Sequence, residues 1–233
     1  MLPYLFTNLD FAGLFRFVSP SFFRVISPAA LFRIAPRLRR NYGDLDAWNE
    51  LRGRLEHAIR DAAFPPAKNP GEHALRLFFF QILSFDTWVL DFRAEAFAAA
   101  AKTGSGWNPK PLFYEVQPPF ARSVRELYRG FYLDDEGLFD RALADLGLLP
   151  AKDCLRRHFG VGDQTRVEFR IARFQNTFAD VFQVCEREGI QLQTEFFVLG
   201  LMLLTLYQNL EAVGEPQDAR GCFREALAKA PNP

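Results

Sequence analysis

The sequence predicts an all-α protein, an irregular helical bundle or helical-repeat-like array with short amphipathic helices at its N-terminus. Apolar residues recur three and four positions apart through most of the 233 residues, which is the spacing of an amphipathic helix. The alternation of apolar and polar residues that marks a half-buried strand is absent. Proline, glycine, asparagine and aspartate separate segments of helical length. A composition of 49 % hydrophobic and 24 % charged residues is that of a folded globular protein.

The N-terminal segment, residues 1–40, contains a short repeat in which Phe-Arg is followed by Ser-Pro or Ala-Pro, with prolines at positions 20, 28 and 36. Serine can cap the free N–H groups at a helix start, and proline suits the first helical position. Each proline also biases the residue before it away from helical geometry. The repeat therefore predicts three short amphipathic helices joined by bends.

The charge of this segment differs from that of the remaining chain. Residues 1–40 hold six arginines and one aspartate, a net charge of +5, whereas the remainder holds 22 basic and 27 acidic residues, a net charge of −5. Such asymmetry is typical of an arm that binds another surface. The candidate residues facing a partner or membrane are Phe15, Arg16, Phe23, Arg24, Phe32, Arg33, Arg37, Arg39 and Arg40.

Three interpretations of this basic arm remain open. Phenylalanine on one edge and arginine on the other is the composition of a helix that lies in a membrane interface, where arginine meets anionic headgroups. The same composition suits a helix docked on a protein partner. It also suits short helices that wrap the protein's own core with arginine on the outside. A nucleic-acid partner is not indicated, because the formal net charge is zero and the arginine cluster is small.

The body divides into residues 41–102 and 120–233, either as two halves or as one continuous domain. Between them, Thr103–Pro119 is rich in glycine and proline and indicates a long loop. The helices predicted in the first half run from a cap at Asp46 to about Ala62 and from Glu72 to about Lys102, with a break near Ser84. The helices predicted in the second half are 121–133, 136–146, 152–159, 167–187, 193–212 and 216–229.

Residues 200–233 resemble a single tetratricopeptide repeat, a 34-residue helical hairpin. The residues that carry the resemblance are Leu203, Leu206, Leu210, Gly214, Ala219, Phe223, Ala226 and Pro231. Tyr207 departs from the pattern, because the family prefers a small residue there. A lone repeat of this kind cannot bury its own apolar faces, so it must stack on the preceding helices.

The resemblance implies protein–protein interaction through a concave helical surface, and it brings no catalytic residues. It would place Leu201, Leu204, Gln208 and Glu211 along the inner face, as a candidate groove. Two of these residues are aliphatic, whereas a groove for a charged peptide terminus would present basic or amide side chains. The face is therefore equally consistent with packing inside the protein.

The sequence contains no catalytic, nucleotide-binding or metal-binding motif that we recognise, and we expect no cofactor and no metal. The three histidines form no Glu-x-x-His pair, and the three cysteines form no Cys-x-x-Cys pair. Cys154 and His158 are spaced to share a helix face, but two ligands beside Arg156 and Arg157 do not make a zinc site. Widely spaced cysteines in odd number argue against a disulfide framework.

Phenylalanine is unusually abundant, with 26 residues against 6 tyrosines and 3 tryptophans. This aromatic area is expected to fill a helical core, or else to line an apolar pocket or face a membrane. The leading hypothesis is a non-catalytic helical interaction protein: an adaptor, assembly factor or accessory subunit that docks on a protein partner or a membrane surface. The alternatives are a carrier of a hydrophobic small molecule, such as a lipid or isoprenoid, and an all-α enzyme without a local motif.

The expected location is the cytoplasm, including its membrane periphery. The N-terminus lacks the features of a secretory signal, but a chain from which a signal peptide had been removed would look the same, which leaves the periplasm open. No transmembrane helix is predicted, because the most apolar run, Phe196–Leu206, is shorter than the roughly 18 residues that a spanning helix needs.

Overall fold

The structure, a computed structural model, describes residues 20–98, 105–159 and 166–231. Helices make up 70 % of these residues and strands 4 %. The predominantly helical fold is therefore confirmed. The helices are α1 (Pro20–Val25), α2 (Pro28–Gly43), α3 (Leu45–Ala62), α4 (Pro70–Ser84), α5 (Ala94–Ala98), α6 (Pro118–Tyr132), α7 (Glu136–Asp145), α8 (Lys152–Phe159), α9 (Ile171–Arg187), α10 (Glu195–Val213) and α11 (Ala219–Lys229). The strands are β1 (Thr87–Val89) and β2 (Phe113–Glu115).

Two of the repeated prolines begin helices, and the third does not. Pro20 opens α1 and Pro28 opens α2, although the Ser27 side chain makes no capping hydrogen bond. Pro36 lies inside α2, so the predicted bend there is wrong. Proline removes one backbone hydrogen bond from a helix. The carbonyl that loses its partner belongs to Phe32, on the solvent side of α2, where water can replace the missing donor.

Aspartate and asparagine caps set the starts of α3 and α4. The Asp44 carboxylate accepts a hydrogen bond from the Ala47 N–H at 3.0 Å, so Asp44 rather than Asp46 is the cap of α3. The Asn69 side chain accepts in the same way from the Glu72 N–H at 2.8 Å at the start of α4. Such caps satisfy N–H groups that the first helical turn leaves without partners.

The predicted helix over 72–102 ends at Ser84, and the chain then forms strand β1. This strand pairs antiparallel with β2, with Trp88 opposite Tyr114. The buried Gln81 side chain donates to the Val89 carbonyl at 3.0 Å and accepts from the Val89 N–H at 2.8 Å, which fixes β1 on α4. These two short strands were not predicted, because three-residue strands are too short to show an alternating pattern.

Helices α6 and α7 form a close antiparallel hairpin. A side chain added at Gly130 would place its Cβ 2.4 Å from the Phe139 backbone nitrogen, so only glycine permits this approach. The Asp135 carboxylate caps α7 by accepting from the Leu138 N–H at 2.9 Å. A single 3-10 turn, Leu149–Ala151, then leads into α8, which packs on α9.

The predicted starts at residues 167 and 216 are both too early. Val167 and Gln217 instead form an isolated antiparallel bridge, with N–H···O distances of 2.8 and 2.9 Å. This bridge ties together the segments that lead into α9 and α11. Helix α9 begins only at Ile171, and α11 begins after its cap at Asp218.

Helix α10 crosses the interior of the protein and packs on α4, α5 and α9. By length and composition it is the described helix that could cross a membrane, with a mean hydropathy of 1.5, and it continues past the predicted apolar run to Val213. However, 72 % of its most apolar window is buried inside the protein. Burial of this kind is also what the core helix of a soluble protein shows.

The last helix packs mainly along α4 rather than folding back along α10. Phe223 of α11 places its ring 5.4 Å from that of Phe79 on α4 and 4.9 Å from that of Tyr132 on α6. The described residues of the N-terminal arm and of both predicted halves contribute to one hydrophobic cluster. Many of the phenylalanines therefore serve as core residues.

Candidate docking surface on helix α2

The inward face of α2 fixes this helix on the body of the protein. Ile34 and Leu38, four residues apart, are buried in the core. One turn later, the Asn41 side-chain amide donates to the Phe113 carbonyl of β2 at 3.0 Å. Because apolar and polar contacts both hold the helix, its orientation is set before any partner binds.

Arg37 adds a third attachment. Its Nη1 donates to the Tyr114 hydroxyl at 3.1 Å, and its guanidinium carbon lies 4.9 Å from the centroid of the Tyr114 ring. Burial raises the pKa of Tyr114, and the Arg37 charge opposes that rise. The phenol is therefore a neutral hydroxyl at physiological pH, and Arg37 binds both its oxygen and its ring.

The outward face of α2 carries exposed phenylalanine and arginine. Phe32 has 79 % of its surface exposed, the largest fraction among the exposed large apolar side chains of the described residues. Arg33, Arg39 and Arg40 are exposed around it. No aspartate or glutamate occurs between Pro28 and Gly43, so the charge of this helix is entirely positive.

The short helix α1 is docked against α9. Phe22 packs edge-on against Phe182 with ring centroids 5.4 Å apart, and the Leu192 N–H donates to the Val25 carbonyl at 2.8 Å. Arg24 is exposed and forms an ion pair with Glu186 of α9. Helix α1 of the arm thus packs on the body of its own chain with Arg24 on the outside, which is the arrangement described by the third interpretation.

The remaining predicted surface residues lie either outside the described residues or in buried and half-buried positions. Phe15 and Arg16 lie outside the described residues, and so does the side chain of Phe23. At the C-terminal end, Leu201 and Leu204 are 4 % and 1 % exposed and are core residues, because α10 is surrounded by other helices. The predicted inner face therefore does not present them to a partner. The outer members of that set, Gln208 and Glu211, are half-buried.

Three pockets lined by described residues enclose only about 10, 20 and 30 Å³. The largest of the three lies between α6, α8, α9 and α10, with mostly leucine and phenylalanine walls. Cavities of about 10–15 Å³ hold one water molecule, and ligand pockets run to about 300 Å³ or more. These pockets give no support to the carrier hypothesis.

The buried charges in the described residues are paired. Arg76 is buried, with Nη2 2.6 Å from a Glu72 oxygen and Nε 2.6 Å from a Glu225 oxygen, the latter an ion pair without hydrogen-bond geometry. Asp91 is buried and accepts from the Arg93 Nε at 2.7 Å and from the Lys110 N–H at 2.9 Å. Pairing of this kind stabilises buried charge, and it occupies the oxygens of these carboxylates with ion pairs and hydrogen bonds.

Nucleophile and metal chemistry find little support among the described residues. Burial raises the pKa of Cys185 to about 11 and that of Cys222 to about 12, so both are protonated thiols at neutral pH. His73 is a neutral imidazole, because burial lowers its pKa, and its Nε2 lies 2.9 Å from the Ser105 carbonyl. No three His, Cys, Asp or Glu side chains of the described segments are grouped as metal ligands.

No protein-family model matches the chain, and neither the curated proteins nor the solved structures contain a significant match to it. The tetratricopeptide resemblance of residues 200–233 has no support from a family match.

Sequence reasoning identified the arginines of α2 but missed what holds the helix in place. Tyr114 and the Phe113 carbonyl belong to a stretch predicted to be a loop, and they become partners only because β1 and β2 pair. A signal was present for the inward face, since Ile34 and Leu38 are an i, i+4 apolar pair within an arginine-rich segment. That spacing marks the buried side of an amphipathic helix.

Proposed function

We propose that this protein is a non-catalytic helical interaction protein that docks on an anionic partner surface through the outward face of α2. The observation that carries the proposal is the exposure of Phe32 and its neighbouring arginines on a helix without acidic residues. A cationic surface attracts anionic partners and selects against cationic ones. The helical body would then hold this surface in a fixed orientation.

The structural setting supports this proposal over a role for α2 in folding alone. Folding uses the inward face, where Ile34 and Leu38 are buried and Arg37 contacts Tyr114. Contiguous exposed apolar surface rimmed by polar side chains marks interaction sites, and Ala29, Phe32 and Pro36 are exposed in one row of α2. The proposal does not depend on a tetratricopeptide-like groove, because Leu201 and Leu204 are core residues.

The test is a charge reversal with a matched control. The variant Arg33→Glu/Arg40→Glu changes the outward face of α2, and Arg54→Glu/Arg60→Glu makes the same net-charge change on exposed positions of α3. Full-length protein would be fractionated from its source cells at low and high salt. The measurement is the share of protein in membrane pellets and large complexes against free protein.

We expect the wild type and the α3 variant to associate at low salt and to dissociate at high salt, because surface charge interactions are screened. The α2 variant should remain free under both conditions. Association of the α2 variant equal to that of the wild type, or a wild type that is free throughout, would overturn the proposal.

A further inference from the structure

We propose that the anionic surface bound by α2 is a lipid bilayer, with Phe32 inserted at the boundary between headgroups and acyl chains. This inference rests on the proposed function and names its partner. A bilayer and an acidic protein would both attract arginine. The arrangement of apolar and charged side chains on α2 distinguishes between them.

Exposed apolar residues form a strip along the centre of the outward face. Ala29, Phe32 and Pro36 are all exposed and follow the three- and four-residue spacing that places side chains in one row. None of these side chains carries a hydrogen-bond donor or acceptor. Protein interfaces hold about one hydrogen bond per 100–200 Å², so a strip of this kind suits the apolar edge of a bilayer better.

Arginines border the strip on both sides. At 100° per residue, Arg33 and Arg40 lie on one side of the strip, and Arg39 lies on the other. An amphipathic helix in a membrane interface has this layout, with apolar side chains pointing into the lipid and basic side chains reaching the headgroups. Guanidinium groups bind phosphate oxygens in a bidentate manner, so phospholipid headgroups are suitable partners for these arginines.

The helix is already formed and oriented, so binding needs no folding step. The burial of Ile34 and Leu38 on the other face of α2 holds Phe32 outward. Pro36, the neighbour of Phe32 in the strip, lies inside the same helix and lacks a backbone N–H. Many interfacial helices form only on the membrane and bear the ordering cost there. In this protein, contacts with the body already order α2 before any membrane is bound.

The acidic groups closest in sequence limit where the membrane lies. Asp44 and Asp46 are exposed just beyond the C-terminal end of α2, and they would be repelled by anionic lipid. Asp44 is partly occupied as the cap of α3. The orientation that avoids these two carboxylates brings the Phe32 end of α2 closest to the bilayer.

The test uses sedimentation of full-length protein with vesicles of phosphatidylcholine, alone or mixed with phosphatidylglycerol. Each arginine near an anionic bilayer contributes on the order of 1 kcal/mol, which converts to about fivefold in partitioning. Arg33→Glu/Arg40→Glu should therefore weaken binding at least 25-fold by this ~fivefold step per residue, and Arg54→Glu/Arg60→Glu should leave it near the wild-type value. Phe32→Ser should weaken binding about tenfold through the lost apolar contact.

A second variant reports insertion directly. The native tryptophans Trp48, Trp88 and Trp107 are all buried, so in Phe32→Trp the fluorescence that acrylamide quenches arises mainly from position 32. Anionic vesicles should shift this emission to the blue and protect it from acrylamide. The variant keeps an aromatic ring at the exposed position, so loss of folding does not confuse the result.

The outcomes separate the two proposals. Binding to anionic vesicles with protection at position 32 supports the bilayer. Binding without that protection, or without an effect of Phe32→Ser, overturns the insertion of Phe32. Absence of vesicle binding, with association in the cell fractions that still depends on α2, overturns the bilayer and leaves an acidic protein as partner. Absence of both overturns the proposed function itself.

Discussion

Helices α2 and α10 both carry residues that the sequence marks as candidate binding surfaces, and they occupy opposite environments. On α10, Leu201 and Leu204 face other helices and are buried. On α2, the apolar face is buried while Phe32 and the arginines face solvent. Apolar residues on every side place a helix in the core, and only an interrupted apolar face leaves a surface for partners.

The largest expected effect is a difference in how much substitutions in the two helices lower the free energy of unfolding. Leu204→Ala in α10 should lower the free energy of unfolding by about 3 kcal/mol, because it removes buried methyl groups and leaves a cavity. Phe32→Ala in α2 should change it by less than about 0.5 kcal/mol, as expected for an exposed position. Urea denaturation followed by circular dichroism measures both, and equal losses for the two variants would contradict the contrast between the helices.

A second effect concerns the polar attachment of α10. The buried Thr205 hydroxyl donates to the Leu90 carbonyl at 2.6 Å and accepts from the Phe92 N–H at 3.1 Å, which links α10 to the segment after β1. Thr205→Val keeps the shape but leaves both backbone groups without a partner. We expect a loss of about 2 kcal/mol in denaturant titrations. Thr205→Ser retains the hydroxyl and should lose less; a serine variant as unstable as the valine variant would show that the hydroxyl contributes nothing.

A third expected effect is the pH dependence of the stability that the buried Cys185 thiol contributes. Burial raises the pKa of Cys185 on α9 to about 11, above the ~8.5 of a thiol in an unfolded chain. The unfolded state therefore loses this proton first, and the stabilising contribution, complete below about pH 8.5, disappears as the pH rises towards 11. Stability of Cys185→Ala should fall less steeply than that of the wild type over this range. Identical slopes in pH-dependent urea titrations would exclude this role for the thiol.

Sequence reasoning succeeded where the cause was local. The helix predicted to end at about Ala62 is α3, and the break predicted near Ser84 is the end of α4. It failed where the cause was a distant segment. Whether α11 packs on α4 or on α10 is decided by shape complementarity in the folded protein, and small residues such as Ala226 are suitable for either neighbour.

The candidate surface shows the same division. The positive charge of α2 and its apolar pair, Ile34 and Leu38, were readable from the sequence. The continuation of the helix through Pro36 was not, because it depends on which side of the helix faces water. The pairing of Arg37 with Tyr114 was also hidden, since 77 residues separate them and strand β2 brings them together.

The smallest expected effect tests how firmly α2 is held. Arg37→Met keeps the aliphatic stem but removes the hydrogen bond and the cation–π contact with Tyr114, for a loss of about 1 kcal/mol. Tyr114→Phe removes only the hydrogen bond and should lose about half as much. Chemical denaturation measures the two losses, and Tyr114→Phe should bind anionic vesicles like the wild type, because the charge of α2 is unchanged. If Tyr114→Phe instead weakened vesicle binding as much as the charge reversal at Arg33 and Arg40, the orientation of α2, and not its charge, would control docking.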